Sequence, residues 1–404
     1  FLPKNYNTND LQRVMKAWLS ENHGWLLILD NLETIDTILP YLPDKINGQI
    51  LITTRNTRLD YGTPFLLDVF DLDEALIFMK RRLSNTNECK MEYYKYKDFS
   101  EKSTVLIKRL GYLPLALEQA AAYIKEVRCS ISDYLELLKQ SSVDAFSEKY
   151  ASPEYYTSIV TSTWNISFAA LEDSSQQLLN LCAYMGADNI PVNFFAEMRN
   201  LLPDPLKNAL SKQLTLNRVV TGLRTYSLAT GTVEYINIHR LVQEVIRKHH
   251  EIEEGNTSGV NRWLQLDFNM LESYLPTSCE EADGVSQFMP IAIHAESIAE
   301  HYSILVKTRS LKLKIANLYD KIGDCYDDCG IFDNAFRNYF SSLQIKEHYL
   351  GKRHSETAIQ YDNIGLLYTR TGNYSEAIKW HKKAIDILES GLGKTSLDTA
   401  TAYN

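Results

Sequence analysis

Two apolar runs set the pattern at the start of the chain. Trp25-Leu26-Leu27-Ile28-Leu29 stops at Asp30, and Gln49-Ile50-Leu51-Ile52-Thr53-Thr54 stops at Arg55. Residues apolar at consecutive positions predict strands buried on both faces, as inside a covered parallel sheet. The stretch from Asn31 to Gly48 is long enough for the helical crossover that parallel pairing needs. Open α/β sheets bind ligands outside the carboxyl ends of their strands. Asp30 and Arg55 therefore come to stand side by side at one sheet edge. A carboxylate there can hold the water shell of Mg²⁺, and a guanidinium can fork onto a phosphate. Buried strands also end in polar residues simply because the chain returns to water, so this pair alone leaves both readings open.

Around these strands the pattern is helical. Leu11, Val14, Met15, Trp18 and Leu19 share a helix face before Gly24. Phe65 to Val69 reads as a short strand, and Asp71-Leu72-Asp73-Glu74 as a capping box opening a helix through Leu83. Ser84 to Lys97 reads as an exposed loop, with helices following at about 99–110, 114–127 and 131–139. Between the first two of these, Gly111 can end one helix in a left-handed conformation and Pro114 can start the next. Ala116 and Ala120 to Ala122 allow close packing. Two more helices span Ser158 to Ala183, and short ones follow at Pro191 to Met198 and Pro205 to Leu214. Tyr226-Ser227-Leu228 and Val233 to Ile238 flank Thr230-Gly231, a hairpin signal. A helix from about His239 to His250 turns Leu241, Val242, Val245 and Ile246 inward, which suggests a winged helix. Arg240, Arg247, Lys248, His249 and His250 make that helix basic, so DNA binding has to be weighed. The charges sit at its far end in an acidic neighbourhood, which favours a structural role. Glu251 to Gly259 is a linker candidate, and the chain beyond it is helical.

The last part repeats. Ala316, Ala358 and Ala400 recur every 42 residues. Tyr319, Ile322, Gly323, Tyr326, Gly330 and Ala335 recur in the same register as Tyr361, Ile364, Gly365, Tyr368, Gly372 and Ala377. A fixed period of this size means stacked supersecondary units, here tetratricopeptide patterning lengthened from the usual ~34 residues. Gly323 and Gly365 let a neighbouring helix approach, and Gly330 and Gly372 turn the chain. The third copy stops after a few residues, so the array is expected to run past Asn404.

Composition narrows the picture further. The chain has 404 residues, 45% of them hydrophobic, and a net charge of −9, which fits several domains with real cores. The acidic balance argues against a nucleic-acid or anionic-membrane partner. No apolar run reaches the ~20 residues of a membrane span, and no secretory signal is present. The six cysteines are scattered, which suits reduced thiols in a cytoplasmic protein. Cys325 and Cys329 lie one helical turn apart, but no second pair with ligand spacing accompanies them, so packing is favoured over a metal.

One motif is a decoy. Gly391-Leu392-Gly393-Lys394-Thr395 imitates the tail of a phosphate loop, but Leu388 stands where the loop needs glycine and repeat helix precedes it. No other phosphate-loop candidate is present in these residues.

Taken in order, the motifs resemble NB-ARC nucleotide switches of the STAND class, in the branch carrying tetratricopeptide repeats. Trp25 to Asn31 is similar to the Walker B strand, Gly48 to Arg55 to the sensor strand, and Gly111-Tyr112-Leu113-Pro114-Leu115-Ala116 to the GLPL motif. Asn237-Ile238-His239-Arg240-Leu241-Val242 resembles the segment holding the MHD-type histidine. The resemblance implies a fold that is α/β and then all-α. It comprises a partial P-loop NTPase parallel sheet in 1–70, a helical domain in 71–150 and a winged helix in 151–255. A helical linker region follows in 256–315, and a tetratricopeptide solenoid in 316–404. It also implies ADP/ATP with Mg²⁺ as cofactor. Asp30 would help hold Mg²⁺, Arg55 sense the γ-phosphate, Pro114 pack near the base and His239 reach the β-phosphate of ADP. Such proteins are signalling switches, closed with ADP and opened by ATP to homo-oligomerise, with a protein or peptide ligand on the repeats.

Two departures matter. The phosphate loop, which the family places before the Walker B strand, is expected upstream of Phe1, so the chain as given should bind nucleotide poorly. Asn31 also stands where many members have a second acid, so any ATPase activity should be slow. Glu33 is a possible substitute that nothing places at the γ-phosphate. Two alternatives remain: a protein-interaction scaffold with a degenerate nucleotide domain, and, ranked third, a winged-helix transcription regulator.

Overall fold

A computed structural model describes residues 8–30, 32, 34–54, 61–65, 67–83, 93–141, 153–253, 261–276 and 278–392. They are mostly helical, with two small sheets. They fall into two compact units, one within 1–67, 277–285 and 319–404, the other within 68–276 and 286–318.

In the first unit, α1 (Thr8–Glu21) leads to β1 (Leu26–Leu29), which pairs in parallel with β2 (Gln49–Ile52). Leu26 faces Gln49 and Leu29 faces Ile52 in the register. Gly48 is required here, because the Trp25 ring occupies the space its Cβ would take. The Trp25 indole donates to the Leu19 carbonyl at 3.0 Å, fastening β1 to α1. Parallel pairing is as the sequence predicts, but three expectations fail. The crossover is two short 3₁₀ turns, Ile35–Thr37 and Leu39–Tyr41, rather than a helix. Pro40 and Pro43 remove backbone donors that a continuing helix would use. The strands are not buried on both faces: Leu26 and Ile28 are each 59% exposed. Residues 65 and 67–69 form no strand.

The second unit opens with α2 (Leu72–Leu83), α3 (Tyr93–Arg109), α4 (Pro114–Val127) and α5 (Ile131–Ser141). The capping box at its start is real. Glu74 N–H donates to Asp71 Oδ1 at 2.8 Å, and Asp71 N–H donates to Glu74 Oε2 at 3.0 Å. Met79, Leu83, Leu106, Leu117 and Tyr134 share one buried core. Next come α6 (Pro153–Ala169), α7 (Asp173–Leu181), β3 (Ile190–Pro191), α8 (Val192–Glu197), α9 (Leu206–Ala209) and α10 (Gln213–Thr225). Then follow β4 (Thr230–Gly231), β5 (Tyr235–Asn237) and α11 (Arg240–Glu253). The three strands form an antiparallel sheet in the order β3-β5-β4. The hairpin exists, shifted from its predicted place: Thr230-Gly231 is a strand, and the turn closes where Thr232 N–H donates to the Tyr235 carbonyl at 2.8 Å. The sequence reading also misses most of α10, which buries Leu216, Val219, Val220 and Leu223.

The remaining helices are α12 (Arg262–Tyr274), α13 (Ala282–Phe288), α14 (Ala292–Leu305), α15 (Arg309–Asp328), α16 (Phe332–Tyr349), α17 (Ser355–Arg370) and α18 (Tyr374–Leu392). From α15 onward they repeat as helix pairs. Gly330 and Gly372 close each pair at φ +72° and +79°, the left-handed region glycine enters freely. No described helix is long and apolar enough to cross a membrane.

Candidate functional site

Asp30 directly follows β1 and is exposed. The ladder continues past both strands: Thr53 N–H donates to the Leu29 carbonyl at 2.9 Å, and Leu32 N–H to the Thr53 carbonyl at 2.8 Å. This places Thr53 beside Asp30, and its hydroxyl donates to Asp30 Oδ1. The parallel pair thus delivers a carboxylate and a hydroxyl together at its carboxyl end. Arg55, Asn31 and Glu33 lie outside the described residues.

Pro114 and His239 belong to the second unit. Gly111 and Tyr112 both adopt left-handed backbone, φ +58° and +59°. Tyr112 N–H reaches back to the Ile107 carbonyl at 3.1 Å, closing α3 as a Schellman-type end. Pro114 then occupies the first turn of α4, half-buried, where its missing N–H costs nothing. Further along α4, Glu118 accepts from Ser227 Oγ at 2.8 Å and from Arg82. Gln119 Oε1 accepts from Thr163 Oγ1 at 2.6 Å in a buried contact. These bonds tie α4 to α2, α6 and the turn after α10. His239 is exposed just before α11, and its Nδ1 accepts the Leu241 N–H at 3.2 Å. An accepting Nδ1 puts the neutral ring's proton on Nε2.

The basic residues of α11 are largely engaged within the unit. Arg247 donates to the Ala183 carbonyl at 2.6 Å, Lys248 pairs with Glu244 at 2.9 Å, and His249 lies edge-on to Trp164. His250 is buried in a relay of neutral groups. Asn261 Nδ2 donates to Tyr184 Oη at 2.6 Å, and Tyr184 Oη and His250 Nδ1 lie 3.1 Å apart. His250 Nε2 is 3.0 Å from Asn180 Oδ1. Burial, then the nearby His249, Arg262 and Arg247, push His250 down to about 3. In sequence this residue is simply one more positive charge on a helix; its partners lie dozens of residues away.

In the repeats, Gly323 lies under the Tyr339 ring and Gly365 under His381, with the nearest ring atoms 2.7 and 2.8 Å from a built Cβ. Tyr339 and His381 are themselves 42 residues apart. The close approach expected at the two glycines is therefore present, twice, in register. Buried Lys346 donates to Asp320 Oδ2 at 2.5 Å and to Gln360 Oε1 at 3.0 Å, linking α15, α16 and α17. Cys325 and Cys329 do not stand alone, since Cys279 hydrogen-bonds to both. Burial raises all three thiols. Among the described residues no group of three His, Cys, Asp or Glu side chains is disposed to hold a metal ion.

Comparison with known proteins follows the same lines. A tetratricopeptide-repeat family model matches residues 314–390, and one described as a domain of unknown function, DUF7779, matches residues 166–254. A nucleotide-binding leucine-rich repeat (NLR)-like protein of Hyaloscypha variabilis is 27% identical over 278 residues. That alignment covers 60% of this chain and 26% of the relative, so the chain matches about a quarter of its length. A solved STAND signal-transduction ATPase from Pyrococcus horikoshii, with a tetratricopeptide repeat sensor, aligns at a TM-score of 0.40 and 16% identity. It covers 98% of this chain and 68% of its own. Residues 314–390 match tetratricopeptide repeats, and over 60% of its length the chain is similar to a protein described as NLR-like.

Proposed function

We propose that the chain is the switch-and-platform part of a nucleotide-dependent signalling protein of the NB-ARC type. The observation that carries this reading is the parallel β1–β2 pair with Asp30 and Thr53 joined at its carboxyl end. Oxygen donors of this kind suit the water shell of Mg²⁺. The β1–β2 pair is read as part of a P-loop NTPase sheet. The β3-β5-β4 sheet with α10 and α11 is read as a winged helix.

Each of these residues has side-chain chemistry that suits one part of a nucleotide. His239 accepts the Leu241 N–H at Nδ1, which puts a neutral ring's proton on Nε2, a donor type that suits a β-phosphate oxygen. Pro114, rigid at the start of α4, suits packing beside a base. Arg55 is assigned the γ-phosphate. ADP supplies the diphosphate charge that His239 can hold, and ATP adds the γ-phosphate that Arg55 can read. Oligomerisation on opening belongs to the same proposal, as does a protein ligand on the repeats. The engagement of Arg247 and His250 inside the protein leaves the transcription-regulator reading without a continuous basic strip on α11.

The test uses a chain that includes a phosphate loop. Asp30→Ala should weaken Mg²⁺-dependent ATP binding, and Arg55→Ala should weaken ATP more than ADP, because the γ-phosphate is their only difference. Equal losses for both nucleotides would remove Arg55 from the sensor role.

A further inference from the structure

α17 packs on α16 and α18 and buries Ala358, Tyr361, Ile364, Gly365 and Leu367. Its other face is a stripe at helical spacing: Ile359, Asn363, Leu366 and Arg370. Ile359 is 37% exposed and Leu366 46%. One period earlier, Lys321, Asp324 and Asp328 of α15 hold the places of Asn363, Leu366 and Arg370. The two stripes lie on helices joined where Arg370 Nη1 reaches Asp327 Oδ1 at 3.1 Å, one residue before Asp328.

The α15 side sets four carboxylates close to Lys321. Of its four carboxylates, Asp320 is paired with Lys346 and Asp327 with Arg370. The other two have neutral partners among the described residues. Asp324 accepts from the Tyr339 phenol at 2.7 Å, and Asp328 from Cys279 N–H at 2.8 Å and Ser278 Oγ at 3.1 Å. Desolvation pushes Asp324 up to about 6; Tyr339's hydrogen bond opposes this, and Asp320, Asp328 and Asp327 add to it. Crowded like charges of this kind are relieved by an incoming cation.

We propose that the surface formed by these two stripes binds a basic segment of a partner protein. An apolar side chain of that segment seats on Ile359 and Leu366, and a neighbouring lysine or arginine meets Asp324 and Asp328. The inference rests on the reading of the array as a protein-binding platform and adds the chemistry of its ligand. Charge complementarity selects the occupant. An acidic segment would meet like charge. A wholly apolar one would desolvate two carboxylates without pairing them. A second copy of this chain would bring a net charge of −9.

The experiment measures fluorescence anisotropy of labelled peptides with the whole chain. The probe is a short peptide in which lysines surround a pair of leucines; its twins carry glutamate or glutamine in place of lysine. The lysine peptide should bind, and its affinity should fall several-fold as salt shortens the screening length. Asp324→Asn keeps an acceptor for Tyr339 and should weaken it about three- to fivefold. Leu366→Ser should weaken it about five- to tenfold. Equal or tighter binding of either twin would overturn the basic-ligand inference while leaving the platform standing. No binding by any of the three would count against both. Lysine-peptide binding unchanged in both variants would overturn the inference by placing the peptide elsewhere.

Discussion

Replacing His250 with glutamine isolates the buried relay by its pH dependence. Glutamine can donate to Asn180 and accept from Tyr184, as the neutral imidazole does, but it cannot take up a proton. In the folded protein the ring's pKa lies at about 3, against 6.5 when solvated. The folded state therefore binds this proton later than the unfolded chain as pH falls. Unfolding takes up the proton, so the wild type loses stability below about pH 6.5 and continues to lose it towards pH 3. The slope is about 1.4 kcal/mol per pH unit, which gives roughly 2 kcal/mol between pH 7.5 and pH 5. Other titrating groups are common to both proteins and cancel in the difference. Urea denaturation of wild type and His250→Gln at several pH values in this window measures it. The glutamine variant should gain on the wild type steadily below pH 6.5. A stability difference that stays flat with pH would show that the ring is not held neutral, and would refute the relay.

Three further outcomes follow from particular contacts. Gly365→Leu drives a side chain into the His381 ring, and overpacking of this kind costs about 1–3 kcal/mol; limited proteolysis should then cut the repeats first, with the second unit's fragments persisting. Asp267 is fully buried with neither carboxylate oxygen hydrogen-bonded among the described residues, and burial raises its pKa well above the usual range. Asp267→Leu should stabilise the fold by about 1–3 kcal/mol, the gain growing as pH rises above about 4, and a lower thermal midpoint would contradict that. Glu118→Ala removes the acceptor of Ser227 Oγ and the partner of Arg82; the first contact is part-buried and the second exposed, so about 1 kcal/mol should be lost in thermal denaturation.

What could be read beforehand depended on whether the determining contact was local. The capping box at Asp71 and the Gly111–Pro114 corner are set by residues three or four apart, and both formed as written. The repeat was legible because periodicity carries tertiary information: Gly323 and Gly365 marked a close approach before the rings of Tyr339 and His381 were known to fill it. Parallel pairing of β1 with β2 was legible from two apolar runs, but their burial was not. Hydropathy says what a strand can tolerate on each face, and only the neighbouring elements decide what covers it. The crossover failed where Pro40 and Pro43 override helical spacing. The His250 relay and the Cys279 contact with Cys325 and Cys329 join residues separated by 46 positions or more. No local pattern announces them. Of the residues proposed to meet a nucleotide, Asp30, Pro114 and His239 came from motif order, and their geometry shows a strand end, a helix start and a helix cap.

ADP dissociation tests the switch most directly. The measurement follows loss of fluorescent ADP from wild type and His239→Ala, in a chain that includes a phosphate loop. A hydrogen bond from Nε2–H to a charged phosphate is worth about 1.5–3 kcal/mol, a factor of roughly 10 to 150 in the closed-to-open balance. The account predicts faster ADP release by His239→Ala, readier oligomerisation and nearly unchanged fold stability. Identical off-rates in the two proteins would leave His239 a helix cap and nothing more, and would contradict the nucleotide lock.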